Sequence, residues 1–286
     1  MVKLIGSNKV RLLVVIPAVL ACGFLLFQQA RGRVPATSMV VMTYNISDIN
    51  GHLVALEKVA NVIKMRGVPD LLLLQEVHGE SEASALAGNL GLGYYLYSHY
   101  QGKKFGLALI SRKPLSKAEI LYFKGSQRGY AALAAELMVE GRRILVCSLH
   151  LDRIAQVQIT ENMAVVSWET ALGLLKTELT EETIRSRSVD QLLSWVAARQ
   201  SDRIIIGGDF NTIPFSKTIR TMSKAYDDAL WPSFSYLNGT YKKLSFPVSP
   251  RIDFVFHSPD LECKGASVIR EGAGDHYPVR AVFDLG

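Results

Sequence analysis

The sequence predicts one α/β domain behind a short, separate apolar segment at the N-terminus. Three observations carry that prediction. Apolar runs of strand length recur from Met39 to the C-terminus, several of them closed by Gly, Asn or Asp. Segments with helical spacing fall between these runs. No composition break, fixed-period repeat or low-complexity tract divides the chain after residue 38. With 286 residues, 49% of them apolar and only 20% charged, the chain can bury a large core and does not read as disordered. The reading is therefore residues 1–37 as leader and linker, and 38–286 as one domain.

The N-terminal segment has a basic start followed by the apolar run Leu12–Phe27. Sixteen helical residues span about 24 Å, short of the roughly 30 Å of a bilayer's hydrocarbon core. The run has the form of a signal-peptide apolar region or a short membrane anchor. V-L-A-C ending at Cys22 faintly resembles a lipoprotein box, although the apolar run continues beyond it. V-P-A at 34–36 is a late candidate cleavage site. Positive charge on both flanks favours a membrane anchor or uncleaved signal, with the following domain outside the cytoplasm.

This segment also explains most of the net charge of +6. Lys3, Lys9, Arg11, Arg31 and Arg33 fall in the first 33 residues, which hold no acid. The remaining chain carries about +1, too little for the basic footprint of a sequence-independent DNA binder. Three cysteines make no disulfide framework, and no Cys/His cluster has zinc spacing.

Taken in order, M-V-V-M-T-Y-N-I reads as a buried strand. Val54–Met65 has helical spacing, with Leu56, Val59, Ala60 and Ile63 on one face. D-L-L-L-L-Q-E-V is again a buried strand. G-L-A-L-I-S, A-A-L-A-A-E-L-M-V and R-I-L-V-C-S-L-H-L read as consecutive strands of a sheet, with Glu140-Gly141 turning between the last two. Tyr94–Tyr100, Y-Y-L-Y-S-H-Y, reads as aromatic strand residues rather than a base-stacking platform. A long helical stretch is expected between Asp152 and Gln200. Its first part, including M-A-V-V-S-W-E-T-A-L-G-L-L, is apolar enough to need a covering surface. R-I-I-I-G-G-D-F-N, R-I-D-F-V-F-H and V-R-A-V-F-D-L complete the strands.

The polar residues at strand ends carry the chemistry. Asn45, Glu76, His150 and Asp209 each close an apolar run; Asn211 follows, Asp253 opens a strand, and Asp275-His276 precedes the last one. Singly, each has an ordinary explanation as a cap, a turn or a satisfied core histidine. A carboxylate placed directly after L-L-L-L-Q is costly to bury alone, however. Its repetition points to acids converging on a cation. Oxygen donors without Cys or paired His suit Mg²⁺, with Mn²⁺ able to take its place, rather than zinc. Such an ion with two histidines and amides suits hydrolysis of a phosphate ester.

The ordered motifs T-Y-N, L-Q-E-V, S-L-H-L, G-G-D-F-N, R-I-D-F-V and G-D-H-Y-P-V resemble the endonuclease/exonuclease/phosphatase superfamily, in the style of its bacterial members. The resemblance runs from about Ser38 to the C-terminus. It implies a four-layer αββα sandwich: two mostly antiparallel sheets face to face, helices outside, and a site at one edge. It further implies Glu76 as principal metal ligand with Asn45 and Asp275 beside it, and Asp209 orienting or deprotonating the attacking water. Asn211, His150 and His276 would contact the phosphate, and Asp253 would orient His276. Arg128, in Q-R-G-Y-A-A-L, resembles a basic position that some members place near the site. Three departures stand out: Gly274 where the family has Ser, a helical stretch between His150 and Asp209 longer than in compact members, and an Arg-x-x-x-Gln pattern displaced to Arg187 and Gln191. The expected enzyme is a monomeric, metal-dependent phosphodiesterase acting on nucleic acid or on a phospholipid head group. Sphingomyelin, inositol phosphates and GPI-anchor remodelling mark the lipid side of that range. A catalytically inactive binding protein on the same fold is the contrasting class; the presence of every motif residue argues against it.

Overall fold

The structure, a computed structural model, describes residues 38–48, 52–154, 158–159, 164–165, 167–231, 233, 238–244 and 249–286. The apolar run Leu12–Phe27 and Cys22 lie outside the described residues. No helix among those described is long and apolar enough to cross a membrane.

Two six-stranded sheets form the centre. The first contains β1 (Ser38–Asn45), β2 (Leu71–Val77), β3 (Tyr94–His99), β4 (Gly106–Ser111), β13 (Glu262–Val268) and β14 (Val279–Asp284), in the order β13-β14-β1-β2-β4-β3. The second contains β5 (Leu115–Tyr122), β6 (Ala131–Val139), β7 (Arg142–His150), β10 (Ile204–Asp209), β11 (Asp227–Asp228) and β12 (Asp253–His257), in the order β11-β12-β10-β7-β6-β5. A two-residue pair, β8 (Gln158–Ile159) with β9 (Ala164–Val165), stands apart. Near the middle of each sheet lies a parallel pair: β1 with β2, and β7 with β10. The described pairings of the other strands are antiparallel.

Helices complete four layers. Helices α1 (Leu56–Lys64) and α2 (Glu80–Leu90) cover the outer face of the first sheet through Val59, Ile63, Ala83 and Leu86, against Met42, Leu72 and Leu74. After α3 (Trp168–Thr180), α4 (Ile184–Ala197) and α5 (Lys217–Met222) cover the second sheet. There Val189, Leu192, Val196, Ile219 and Met222 meet Cys147, Leu149, Ile206 and Phe254. Between the sheets, Val41, Leu71, Leu73, Leu109, Val146, Ile205 and Val255 form the central core. The αββα expectation is thus met by two mixed sheets.

Three expectations change. The strands β4, β6 and β7 are not consecutive in one sheet: β4 belongs to the first, and β5 intervenes before β6. β5 and β13 escape a hydrophobic reading because both are sheet edges, with sequences L-S-K-A-E-I-L-Y and E-C-K-G-A-S-V that are largely exposed. The helical stretch after Asp152 begins only at Trp168, where the Ser167 side chain caps it by accepting from the Thr170 amide. Ala164–Val165, expected to be helical, pairs as strand with Gln158–Ile159. The β6–β7 turn stands as expected: Glu140 (φ 50°) and Gly141 (φ 76°) both occupy the left-handed region that a tight hairpin demands.

Candidate active site

The parallel pairs place the site. Their carboxyl ends carry Asn45 opposite Gln75 in one sheet, and Asp209 opposite His150 in the other. Asp253 lies opposite Asp209 on its second neighbour, so His150, Asp209 and Asp253 form one row. Side chains two residues apart share a face. The inter-sheet layer therefore changes character along each strand: Val41, Thr43, Asn45; Leu73, Gln75; Val146, Ser148, His150; Ile205, Gly207, Asp209. Apolar core gives way to a polar floor, and the floor to the site.

That floor is hydrogen-bonded throughout. Gln75 Nε2 donates to Ser148 Oγ at 3.0 Å, crossing between the sheets, and to Leu73 O at 3.0 Å. Ser148 Oγ donates to Leu74 O at 3.1 Å and Thr43 Oγ1 to Leu73 O at 3.1 Å. Gly207 is where the sheets approach closely: a Cβ there would come within 2.6 Å of Leu73 Cδ1. Buried polar groups satisfied in this way hold the two sheets in one register.

Asp209 is the hub. Its Oδ2 accepts from Asn45 Nδ2 at 3.3 Å and lies 3.3 Å from His150 Nε2 and 3.7 Å from His276 Nε2. Its Oδ1 accepts from the Asn211 backbone amide at 2.9 Å. Burial alone would raise the carboxyl's pKa, but His150, His276 and the amide outweigh burial and lower it. Asp209 therefore stays ionised. Asn211 reaches back through Nδ2 to Leu151 O at 2.9 Å and lies 3.0 Å from His150 Nε2. Its φ of 49° is one that Asn tolerates better than most residues.

Glu76 is aimed by a bulge. The β2–β4 register shifts between Gln75 and Val77, and Glu76 takes a φ of 57°. Its displaced backbone groups find side chains instead: its amide donates to the Tyr100 hydroxyl at 3.3 Å, and its carbonyl accepts from Ser47 Oγ at 3.0 Å. Tyr100 in turn sits 2.9 Å from His150 Nδ1, and Tyr130 stacks on the same imidazole at 4.0 Å between centroids. His150 is thereby fixed from both edges and one face.

His276 is held as a charged group. Its Nδ1 lies 2.8 Å from Asp253 Oδ2, and the Tyr241 ring meets its edge at 5.2 Å. Burial lowers its pKa, but Asp253, Asp209 and Asp275 prevail and lift it to about 10. The hydrogen bond keeps a proton on the pair, and the three neighbouring acids place that proton on the imidazole. Asp275 is pushed up to about 6, first by burial and then by the charges of Glu76, Asp48 and Asp209, against the pull of His276.

Gly274 now has a reason. A Cβ there would stand 1.8 Å from Ser47 O, so no serine fits against this backbone. The loop lies flat on the β1 extension, with the Asp275 amide donating to Ser47 O at 3.4 Å.

A hard divalent cation would need oxygen donors free to face it. Among the described residues, Asp209, Asp253 and His276 place ligand-type atoms within 4.8 Å of one another. The 2.8 Å bond from His276 to Asp253 makes that group an acid–imidazole–acid chain rather than a cation cage. Glu76 and Asp275 differ. Among the described residues no hydrogen bond reaches either carboxylate, and the nearest imidazole nitrogens lie at 4.0 Å (His150 to Glu76) and 3.9 Å (His276 to Asp275). Two crowded carboxylates without donors, beside an Asn45 oxygen that keeps a second lone pair, fit an oxygen-ligated cation.

The eight motif residues therefore belong to one site. Arg128 is exposed: its charge lowers the pKa of Tyr130, and its backbone amide donates to Ser126 Oγ. Arg187 and Gln191 do not join the site. Gln191 clamps the backbone of Lys124 from α4, and Arg187 pairs with Glu182. Asp253 does not pair with Arg251, which is buried against Asp228 at 2.6 Å. Sequence reasoning missed Tyr100, Tyr130, Tyr241 and Arg153. The charge of Arg153 acts on both Tyr130 and Tyr241, which flank the two histidines. H-L-D-R was its only signal; Tyr100 closes the aromatic run read above as strand residues, and Tyr130 and Tyr241 gave none.

Comparison with known proteins agrees with this geometry. The family model "Endonuclease/Exonuclease/phosphatase family" matches residues 42–276. The chain belongs to that family, and membership supports a phosphoester hydrolase. No curated protein matches the sequence. Among solved structures, a family protein from Bacteroides thetaiotaomicron aligns with TM-score 0.62 and 19% identity, over 86% of this chain and 97% of that one. One from Beutenbergia cavernae gives 0.63 and 20%, over 87% and 72%. Truncated Caenorhabditis elegans TDP2 gives 0.61 and 16%, over 88% and 99%. These identities carry the fold alone.

Proposed function

We propose that the chain is a divalent-metal-dependent phosphodiesterase, with Mg²⁺ held by Glu76 and Asp275 beside Asn45, and Mn²⁺ able to take its place. The observation that carries this reading is the convergence on Asp209 of Asn45, His150, Asn211 and His276, drawn from both sheets. The ion, when bound, supplies charge to a phosphoryl oxygen.

The protein's own groups do the rest. Asp209, ionised and pinned by four neighbours, accepts a hydrogen bond from the attacking water and aligns it. Asn211 and His150 face the phosphoryl oxygens, with Arg128 as a substrate contact. His276, kept cationic by Asp253, offers positive charge where the transition state gains negative charge. Tyr130 and Tyr100 keep the His150 ring from turning away.

The modest charge of the domain favours a compact phosphodiester over a long polyanion. The leader would anchor the domain, as a monomer, outside the cytoplasm and near lipid head groups. A panel of bis-(p-nitrophenyl) phosphate, plasmid DNA, RNA, sphingomyelin and phosphoinositides tests the reading. Turnover of at least one, dependent on added metal, is expected. Inertness toward all of them contradicts it.

A further inference from the structure

Ser47 is neither acid nor base, yet three segments of the site meet on it. It stands two residues after Asn45, just past the end of β1, and is 1% exposed. Its backbone amide donates to Asn45 Oδ1 at 3.3 Å. Its Oγ donates to the carbonyl of Glu76 at 3.0 Å. Its own carbonyl accepts from the Asp275 amide at 3.4 Å, in the contact for which Gly274 makes room. Amide, hydroxyl and carbonyl of one small residue thus hold three different segments: the end of β1, the β2 bulge and the last loop.

The bulge is where this hold matters most. At a φ of 57°, Glu76 sits in the left-handed region, where a residue other than glycine persists only if its surroundings keep it there. Tyr100 holds its amide and Ser47 its carbonyl. Behind Ser47 stands His78, with Nε2 3.1 Å from Ser47 Oγ. Ser47 has one hydroxyl proton, and the Glu76 carbonyl can only accept it. His78 Nε2 is therefore the donor in its bond to Ser47, and the relay runs from His78 Nε2–H to Ser47 Oγ–H to Glu76 O. His78 is itself fixed. Its amide donates at 2.5 Å to Glu82 Oε2, in the first turn of α2, and its ring lies 5.5 Å from that of Phe105.

Groups that orient a metal ligand set its affinity without touching the ion. We propose that the Ser47 hydroxyl, backed by His78, is a positioning group: it holds Glu76 at the spacing from Asn45 and Asp275 that a divalent cation needs. This deepens the metal-dependent reading above and rests on it.

Mn²⁺ binding by the full-length chain, followed by electron paramagnetic resonance of the free ion, reads the effect without turnover. Ser47→Ala should weaken Mn²⁺ binding by about tenfold or more. In the metal-free protein the Glu76 amide should exchange faster. His78→Leu removes the donor and should move both readouts in the same direction; His78→Gln keeps a donor and should restore them toward wild type. If Ser47→Ala does not fold, the half-buried His78 pair carries the same test. Ser167→Ala deletes a hydroxyl that caps α3 and should leave Mn²⁺ affinity unchanged. Ser47→Ala that binds Mn²⁺ as tightly as wild type overturns the positioning role. So does an equal loss in Ser167→Ala, because lowered stability alone would then account for it. A wild type that binds no Mn²⁺ overturns the metal reading instead, and unchanged Glu76 exchange in Ser47→Ala would overturn the hold on the bulge as well.

Discussion

Asp209 and Gly274 show how closely the site depends on individual atoms. Asp209 touches four groups that start from four separate segments of the chain. Gly274 touches none of the chemistry, yet its missing Cβ lets the last loop lie against Ser47 and deliver Asp275 and His276. A Gly274→Ser substitution restores the family's residue but must push the loop off β1. It should cost about 1–3 kcal/mol in urea unfolding and lower activity as well. Unchanged stability would mean that the loop relaxes freely. Asn45, Glu76, His150, Asp209, Asp253 and Asp275-His276 were legible in the sequence because each interrupts an apolar pattern at a strand end, where an unpaired charge is expensive. Tyr100, Tyr130 and Tyr241 were not, because an aromatic residue in an apolar context looks like core. The floor had a fainter signal: Thr43 and Ser148 stand two positions before Asn45 and His150, and Gln75 adjoins Glu76.

At the scale of elements, the site is braced from one side by helices and from below by strands. The start of α4 carries a reciprocal cap: the Thr183 side chain accepts from the Ser186 amide, and the Ser186 side chain donates to the Thr183 carbonyl and lies 2.9 Å from its amide. Within that same first turn, Arg185 holds Asp152 and Glu178. Thr183→Ala should destabilise the domain by about 1 kcal/mol and loosen this anchor. The readouts are the unfolding midpoint and amide exchange over 152–154. Loss confined to α4 would separate the helix from the site. Helical periodicity made α1 and α4 readable in advance. It overran the start of α3, because Ala164–Val165 is as apolar as the helix and only its pairing with Gln158–Ile159 makes it strand.

For the whole molecule, two sheets must hold their register for eight residues to meet. The layer order came from the family resemblance that the six ordered motifs carry, while buried strands were legible as apolar runs; the edge strands β5 and β13 were not, because exposed edges carry charge instead of apolar alternation. Away from the site, Arg251 and Asp228 form a buried ion pair, with Arg251 also 4.2 Å from the Phe254 ring centroid. Asp228→Ala leaves that guanidinium buried without its carboxylate and should cost about 3–5 kcal/mol, read from denaturant unfolding. A much smaller loss would show that water reaches Arg251.

In the proposed reaction Glu76 and Asp209 serve a metal-assisted attack on a phosphodiester. Hydrolysis of bis-(p-nitrophenyl) phosphate by the full-length chain, with and without chelator, tests it most directly when Glu76→Ala and Asp209→Asn are run beside the wild type. Turnover that chelator abolishes and Mg²⁺ or Mn²⁺ restores is expected. Both variants should fall by about 10²–10⁴-fold while remaining folded by circular dichroism. Activity that survives chelation, or that either substitution leaves intact, would contradict it.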